Sequence, residues 1–387
     1  MIVKLLPILG ITFIDILGFS ILIPLMPYFV KHFGAPDIVV GGLFATFALC
    51  QFVGGPVWGN VSDRIGRKAV LIVSQIGATI GWTMLAFAPN IGIVFLARII
   101  EGFSGGNISV TQAYVSDLVE PAKRGRAFAY IGAAFSSGLV FGPLAGGYLV
   151  AKYGFAMPFL LAAGLQLITL IVTILVLPES RQKNADEKPA SLADIKVSLL
   201  DRRIAPIMWQ KLVFSLGLYG WFSVFTLVLQ IQFGFDAAAA SYFFTVFGIT
   251  SVICQVGVVG RTTDALGDRV ASNIGFAVLL AGFAIVPFAH TIPLAIVMVA
   301  FFSLGMSLVN ATIPALLSAH APDNMRGTVL GTASSLDSVS GMIMPVICTY
   351  VLQSAGVAPT IAITFGLTTA ALIMGLAALK RPAPTAA

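Results

Sequence analysis

Apolar residues run through this chain in long blocks, and its polar residues are gathered into short segments between them. A helix of about 20 apolar residues is long enough to cross a hydrocarbon layer roughly 30 Å thick. The pattern predicts twelve such spans. The first six cover approximately 5–30, 38–59, 69–88, 91–116, 126–150 and 155–177, and the second six 204–233, 238–260, 270–289, 292–318, 327–352 and 357–379. Between the sets the composition changes: Glu179, Arg181, Lys183, Asp186, Glu187, Lys188, Asp194, Lys196, Asp201, Arg202 and Arg203 crowd one segment. The expected organisation is a six-helix bundle at 1–177, a linker at 178–203 and a second bundle at 204–387. Within the linker, Ser191 to Leu200 fits a short amphipathic surface helix. Alternating strands of about ten residues, the mark of a membrane barrel, do not occur. The fold class predicted is an all-α integral membrane protein.

A charged turn is repeated between these blocks. Gly59-Asn-Val-Ser-Asp63-Arg64-Ile-Gly66-Arg67-Lys68 follows span two, and Gly260-Arg-Thr-Thr-Asp264-Ala-Leu-Gly267-Asp268-Arg269 follows span eight. Asp63 recurs as Asp264 and Gly66 as Gly267, 201 positions on in each case. Pro121-Ala-Lys-Arg124-Gly125 before span five is echoed by Pro322-Asp-Asn-Met-Arg326-Gly327 before span eleven. An offset of half the chain indicates two related halves. Six spans in each give parallel repeats about an axis along the membrane normal.

Composition agrees with this reading and charge adds an orientation. Hydrophobic residues make up 58%, charged residues 10%, and mean hydropathy is +0.98, whereas a soluble domain carries about a quarter charged residues. With the N-terminus inside, the inside segments hold Lys4, Arg64, Arg67, Lys68, Lys123, Arg124, Arg126, the linker, Lys211, Arg261, Arg269, Arg326, Lys380 and Arg381. The outside segments keep Lys31 and Lys152. Basic residues favour the cytoplasmic side, so both termini are expected there. The net charge of +6 is thereby explained without a nucleic-acid partner. The first apolar run lacks a cleavage site and exceeds the length of a signal peptide's core. Cys50, Cys254 and Cys348 lie in apolar runs without metal-ligand spacing, so neither a metal nor a disulfide framework is expected.

Intramembrane charges are costly and therefore candidates for function. Asp15 lies 11 residues after Lys4, about 16 Å along a helix and close to the midplane. Arg98 and Glu101, three apart in span four, share a helix face and can pair. Asp337 in span eleven has Ser334, Ser335, Ser338 and Ser340 as polar company, and either a cationic substrate or a proton could be its ligand. Asn107, with Gln112, Gln166, Gln210, Gln230, Gln232, Gln255 and Asn310, is an amide more often used to tie helices together. Tyr219 and Trp221, with Tyr114 and some of the 29 phenylalanines, could wall a lipophilic site. Gly138, Gly142, Gly146 and Gly147 with Pro143 form a stripe that admits a close helix contact, expected between the halves.

Together these features resemble the major facilitator superfamily over the whole chain. The loop Gly59 to Lys68 fits the family's Gly-x-x-x-Asp-Arg-x-Gly-Arg-Arg/Lys pattern. Arg98-Ile-Ile-Glu101-Gly102-Phe-Ser-Gly105-Gly106 is similar to the motif whose arginine is implicated in proton coupling. Gly138-Leu-Val-Phe-Gly142-Pro143-Leu-Ala-Gly146-Gly147 resembles the antiporter motif of drug exporters. Asp15-Ile-Leu-Gly18, Pro24, Pro27 and Gln51 resemble the twelve-span drug:proton antiporters, tetracycline exporters among them. That group's further acids have no counterpart here, because Ile80 to Phe87 and Phe276 to Phe288 contain no carboxylate. The match is therefore to the broader exporter group. The resemblance implies that Asp15 or Glu101 carries the proton while Arg98 tunes it. It also implies that Gln51 meets substrate; Asn107, Asp337, Tyr219 and Trp221, read from the residues alone, are the other candidate substrate-binding positions. The Gly59–Lys68 loop would latch through Asp63 onto the start of span eleven, helped by Arg126.

The function expected is proton-driven export of lipophilic small molecules, cationic ones among them, by a monomer in a bacterial inner membrane. Its partners are substrate, protons and lipid, with no cofactor and no enzymatic activity. No nucleotide-binding P-loop is present to supply ATP drive. A proton-coupled importer of a sugar or other metabolite would share the fold but normally has a more polar cavity. A non-transporting sensor or scaffold would normally carry a soluble domain, for which no loop is large enough.

Overall fold

In a computed structural model the described residues are 2–105, 110–111, 114–115, 118–119, 124–179, 199–201, 203–322 and 325–379. For 2–4, 63, 124–126, 128–129, 378 and 379 only the backbone is described. Helices account for nearly all of it. In unit one, residues 1–189 with 229–245, they are α1 (Ile2–His32), α2 (Ile38–Ile65), α3 (Arg67–Ala86), α4 (Ile91–Ser104), α5 (Arg124–Tyr153) and α6 (Ala156–Val176). Unit two, residues 190–228 with 246–387, holds most of the rest: α7 (Ala205–Phe233), α8 (Ala237–Leu266), α9 (Asp268–Ile285), α10 (Ile292–His320), α11 (Arg326–Ala355) and α12 (Val357–Leu379). The end of α7 and the start of α8 belong to unit one. A π turn over Gln255–Val259 interrupts α8. Eleven of these helices are long and apolar enough to cross a membrane. The twelfth predicted span, 91–116, contains α4 and continues into residues that are partly outside the described set.

Helix is the form these segments take because lipid offers backbone groups no partners, and only a helix satisfies them within one segment. Polar side chains inside the spans follow the same rule. Thr12, Thr46, Ser137, Thr173, Thr312 and Thr349 each donate to the carbonyl four residues back. Asn90 starts α4 by accepting from the Ile93 N–H at 3.1 Å, and Asp236 starts α8 by accepting from Ala239 N at 2.7 Å.

The repeat is written into the backbone. Every non-helical left-handed position among the described residues is a glycine, and the six form three pairs: Gly34 with Gly234, Gly66 with Gly267, and Gly154 with Gly356. Members of each pair lie roughly 200 residues apart, the spacing of the duplicated turn. Gly66 (φ 105°) joins α2 to α3, and Gly267 (φ 77°) joins α8 to α9, each as a single-residue junction. A side chain with a Cβ is strained there, so the glycine of the repeated motif is set by the sharp helix-to-helix turn.

Packing inside unit one brings α1 against α5 and α6, α3 against α6 and α4, and α2 against α4. Its buried centre includes Phe29, Leu43, Trp82, Leu85, Val94 and Phe159. In unit two, α9 packs on α10 and α12, while α11 packs on α10 and α12. There an aromatic cluster joins Trp221, Phe225, Phe283 and Phe302, with centroids 4.8–6.4 Å apart.

Candidate functional site

The predicted pair on α4 forms. Arg98 Nη2 and Glu101 Oε2 are ion-paired across one helical turn, with the side chains 3% and 5% exposed. Two aromatic faces enclose the guanidinium, whose Cζ lies 5.5 Å from the Phe47 centroid on α2 and 5.4 Å from that of Trp82 on α3. An arginine ringed this way gains cation–π attraction in place of lost hydration. Glycines make room for the pair. A Cβ at Gly81 would strike Glu101, and one at Gly102 would strike the Phe47 carbonyl and Cys50. Glu101 Oε1 and Arg98 Nε have no hydrogen-bond partner among the described residues.

Around this pair, Gln51 Nε2 reaches the Gly105 carbonyl at 3.5 Å, and Trp58 Nε1 donates to Phe103 O at 2.7 Å. Both tie α2 to α4. Asp15 is half-buried on α1. Asn107 lies outside the described residues, as do the side chains of Asp63 and Arg126 and most of the predicted linker helix.

At the duplicated loop of unit one, Arg67 donates to Ser62 Oγ at 2.6 Å, and Lys68 Nζ to the Ile174 carbonyl of α6 at 2.8 Å. Arg64 is exposed, and Gly59 has open space where a Cβ would stand. The sequence reading missed Glu179, which it left in the linker. Its carboxylate accepts from Arg67 N at 2.8 Å and Lys68 N at 3.2 Å, occupying the N-terminus of α3. A helix N-terminus attracts an anion through its unpaired N–H groups. An acid placed just past span six, beside the start of span three, was the available signal.

Asp337 needs a correction. Its expected serine company bonds elsewhere: Ser334, Ser335, Ser338 and Ser340 donate to carbonyls four residues back on α11. Its partners come from α7, where Lys211 Nζ lies 2.7 Å away and Ser215 Oγ donates at 2.5 Å. Charge counting along the sequence sets Lys211 among the inside segments. The structure places it two turns within α7, its side chain only 12% exposed.

A family model described as Major Facilitator Superfamily matches residues 8–345 and 226–387. The chain belongs to that superfamily. It is therefore a multi-pass membrane protein of a transporter family and not an enzyme. It is 28% identical to the Tetracycline resistance protein, class C, of Escherichia coli, over 90% of this chain and 89% of that one. Multidrug resistance protein 2 of Bacillus subtilis (strain 168) is 29% identical over 86% and 84%. Among solved structures, the human organic anion transporter MFSD10 (TETRAN) aligns with a TM-score of 0.74 at 21% identity, covering 96% and 98%. The POT family transporter PepTSo aligns at 0.80 and 13%, covering 98% and 97%. At those identities the two structures share the fold.

Two further expectations about this superfamily member change. Trp221, expected to wall the substrate, is 4% exposed and packed in the aromatic cluster of unit two; Tyr219, two residues earlier, is 36% exposed. The glycine stripe of α5 was expected between the halves. It divides: Gly138, Gly142 and Gly146 close on α1, against Phe13, Leu17, Ser20 and Ile21, and only Gly147 meets a helix of the second half. Ser20 Oγ donates to the Gly138 carbonyl at 2.8 Å, sealing the contact. Gly147, one position round the helix from Gly146, meets Ala238, Ser241 and Tyr242. Pro143 sits between, inside the same helix.

Proposed function

We propose that this protein is a proton-coupled antiporter that exports lipophilic small molecules by alternating access. The relatives named for tetracycline and multidrug resistance support export of drug-like compounds. The observation that supports proton coupling is the buried Arg98–Glu101 pair, whose Glu101 Oε1 accepts no hydrogen bond among the described residues. A charge held in the membrane interior without use is costly. When Glu101 takes up a proton, Arg98 loses its counter-charge and must find another, and Asp15 on α1 is the second acid of unit one suited to that exchange. Release of the proton restores the pair. Binding of substrate in one half of this cycle and of the proton in the other gives antiport.

In the same reading the protein is a monomer of the bacterial inner membrane, and the distribution of Lys and Arg supports cytoplasmic termini. Its N-terminal bundle, linker and C-terminal bundle are 1–177, 178–203 and 204–387, and Asp63 of the duplicated loop acts as a cytoplasmic latch. The test uses inside-out vesicles with a respiration-generated pH gradient read by a quenched acridine dye. Addition of a substrate should restore fluorescence with the wild-type protein and fail to do so with Asp15→Asn and Glu101→Gln together. A gradient untouched by a broad panel of lipophilic drugs would overturn antiport.

A further inference from the structure

The Lys211–Asp337 pair belongs to neither the α4 pair nor the duplicated loop. It is set in unit two by α7 and α11, and it is incompletely satisfied. Asp337 Oδ1 receives both Lys211 and Ser215. The ammonium has three donors and spends one on Asp337; among the described residues the Phe214 ring also stands near it, 6.0 Å away. The side chains remain 12% and 28% exposed, so the pair is reachable from outside the unit. Beside it, α11 presents Gly331, Ser334 and Ser335 as exposed residues and Ser338 as half-exposed, at spacings that share one helix face. A polar exposed face on a membrane-spanning helix fits a water-filled cavity and not lipid. Tyr219, also exposed, stands one helical face along α7 from Lys211 and Ser215.

Charge decides what such a site can take. Asp337 alone would favour a cation, but Lys211 at 2.7 Å cancels most of that attraction. A simple cation must displace the lysine, and a simple anion must displace the aspartate. Either leaves one partly buried charge without a partner, which is the less favourable outcome. A molecule carrying both charges avoids this, because its anionic group takes the spare Lys211 donors while its ammonium takes Asp337. We infer that Lys211 and Asp337, with Ser215 and Tyr219, form a binding site for zwitterionic substrates with a lipophilic body. This deepens the antiport reading and rests on it, since no proton is gained or lost at the site and coupling stays with the acids of unit one.

Three fluorescent probes sharing one aromatic body test it: norfloxacin as the zwitterion, its ethyl ester as the cation, and N-acetylnorfloxacin as the anion. Binding is measured by anisotropy on the full chain in lipid nanodiscs. The zwitterion should bind at least tenfold tighter than either relative. Lys211→Gln should bring norfloxacin and its ester to similar affinity, and Asp337→Asn should do so for norfloxacin and the N-acetyl compound. The exchanged variant Lys211→Asp/Asp337→Lys keeps a pair and should keep the zwitterion preference, which separates charge recognition from misfolding. Equal binding of the three probes, no binding of any, or a preference that survives both single variants overturns the inference. Dye recovery in vesicles with a neutral or monocationic drug would in that case leave antiport standing.

Discussion

The Glu179 carboxylate occupies the space that a side chain on Gly66 would need. This acid, three residues past the end of α6, is thus seated on the residue that joins α2 to α3, and it caps Arg67 and Lys68 from there. Substituting Gly66→Ala should strain the backbone at φ 105°, by about 1–2 kcal/mol, and also expel the cap. Glu179→Gln keeps the shape and removes only the charge, a loss of about 0.3–1 kcal/mol at an exposed helix end. Thermal unfolding in detergent should rank wild type above Glu179→Gln, and that variant above Gly66→Ala. An alanine variant as stable as wild type would mean that the cap is not formed.

Removing either member of the α4 pair should have different consequences. Glu101→Gln retains a hydrogen-bonding side chain of the same size that still accepts from Arg98, and with Asp15 to take over as counter-charge folded protein should be recovered while uphill transport is lost. Arg98→Ala leaves a buried carboxylate unpaired, a change that typically costs roughly 3–5 kcal/mol, and should reduce folded protein. Yield by size-exclusion chromatography, alongside vesicle transport, separates the two. Uphill export by Glu101→Gln would remove Glu101 from coupling.

The α1–α5 contact predicts where bulk is tolerated. Gly138→Leu drives a side chain into the backbone of α1 at Phe13 and Leu17, and overpacking of this kind costs about 1–3 kcal/mol or more. Gly132→Ala, on the same helix with open space around it, should be neutral. Comparable yields of both variants would contradict the close approach.

Trp221 distinguishes core from cavity. Trp221→Ala should lower stability by about 3–5 kcal/mol, as deletion of a buried aromatic does, and do so for every substrate alike. Trp221→Phe should recover most of it. A substrate-selective defect at normal stability would return Trp221 to the binding site.

Asp63→Asn should impair transport while leaving membrane expression and melting temperature close to wild type, because a latch acts only during turnover. Loss of folded protein would instead make the loop a structural turn.

What the sequence determined by itself was the lipid-facing character of the chain and its consequences. Blocks of apolar residues can satisfy their backbones in lipid only as helices, so the twelve spans followed from hydropathy and length. The duplicated Asp and Gly residues disclosed the repeat, and Gly66 and Gly267 prove to be matching left-handed junctions. Arg98 and Glu101 were legible as a pair because three residues on one helix are always neighbours.

Contacts between helices were decided only by tertiary structure. Nothing local to Asp337 names Lys211, more than a hundred residues away on α7, and its own serines misled because each can bond to its own helix. The α5 glycines announced a close approach without saying to what, since a small residue specifies a distance and not a partner. Glu179 was hidden for the same reason: a charge in a charged segment looks solvated until folding brings the N-terminus of α3 beneath it. Hydrophobic pattern fixes where the chain is buried in the membrane, while the pairing of buried charges depends on which helix faces are packed together.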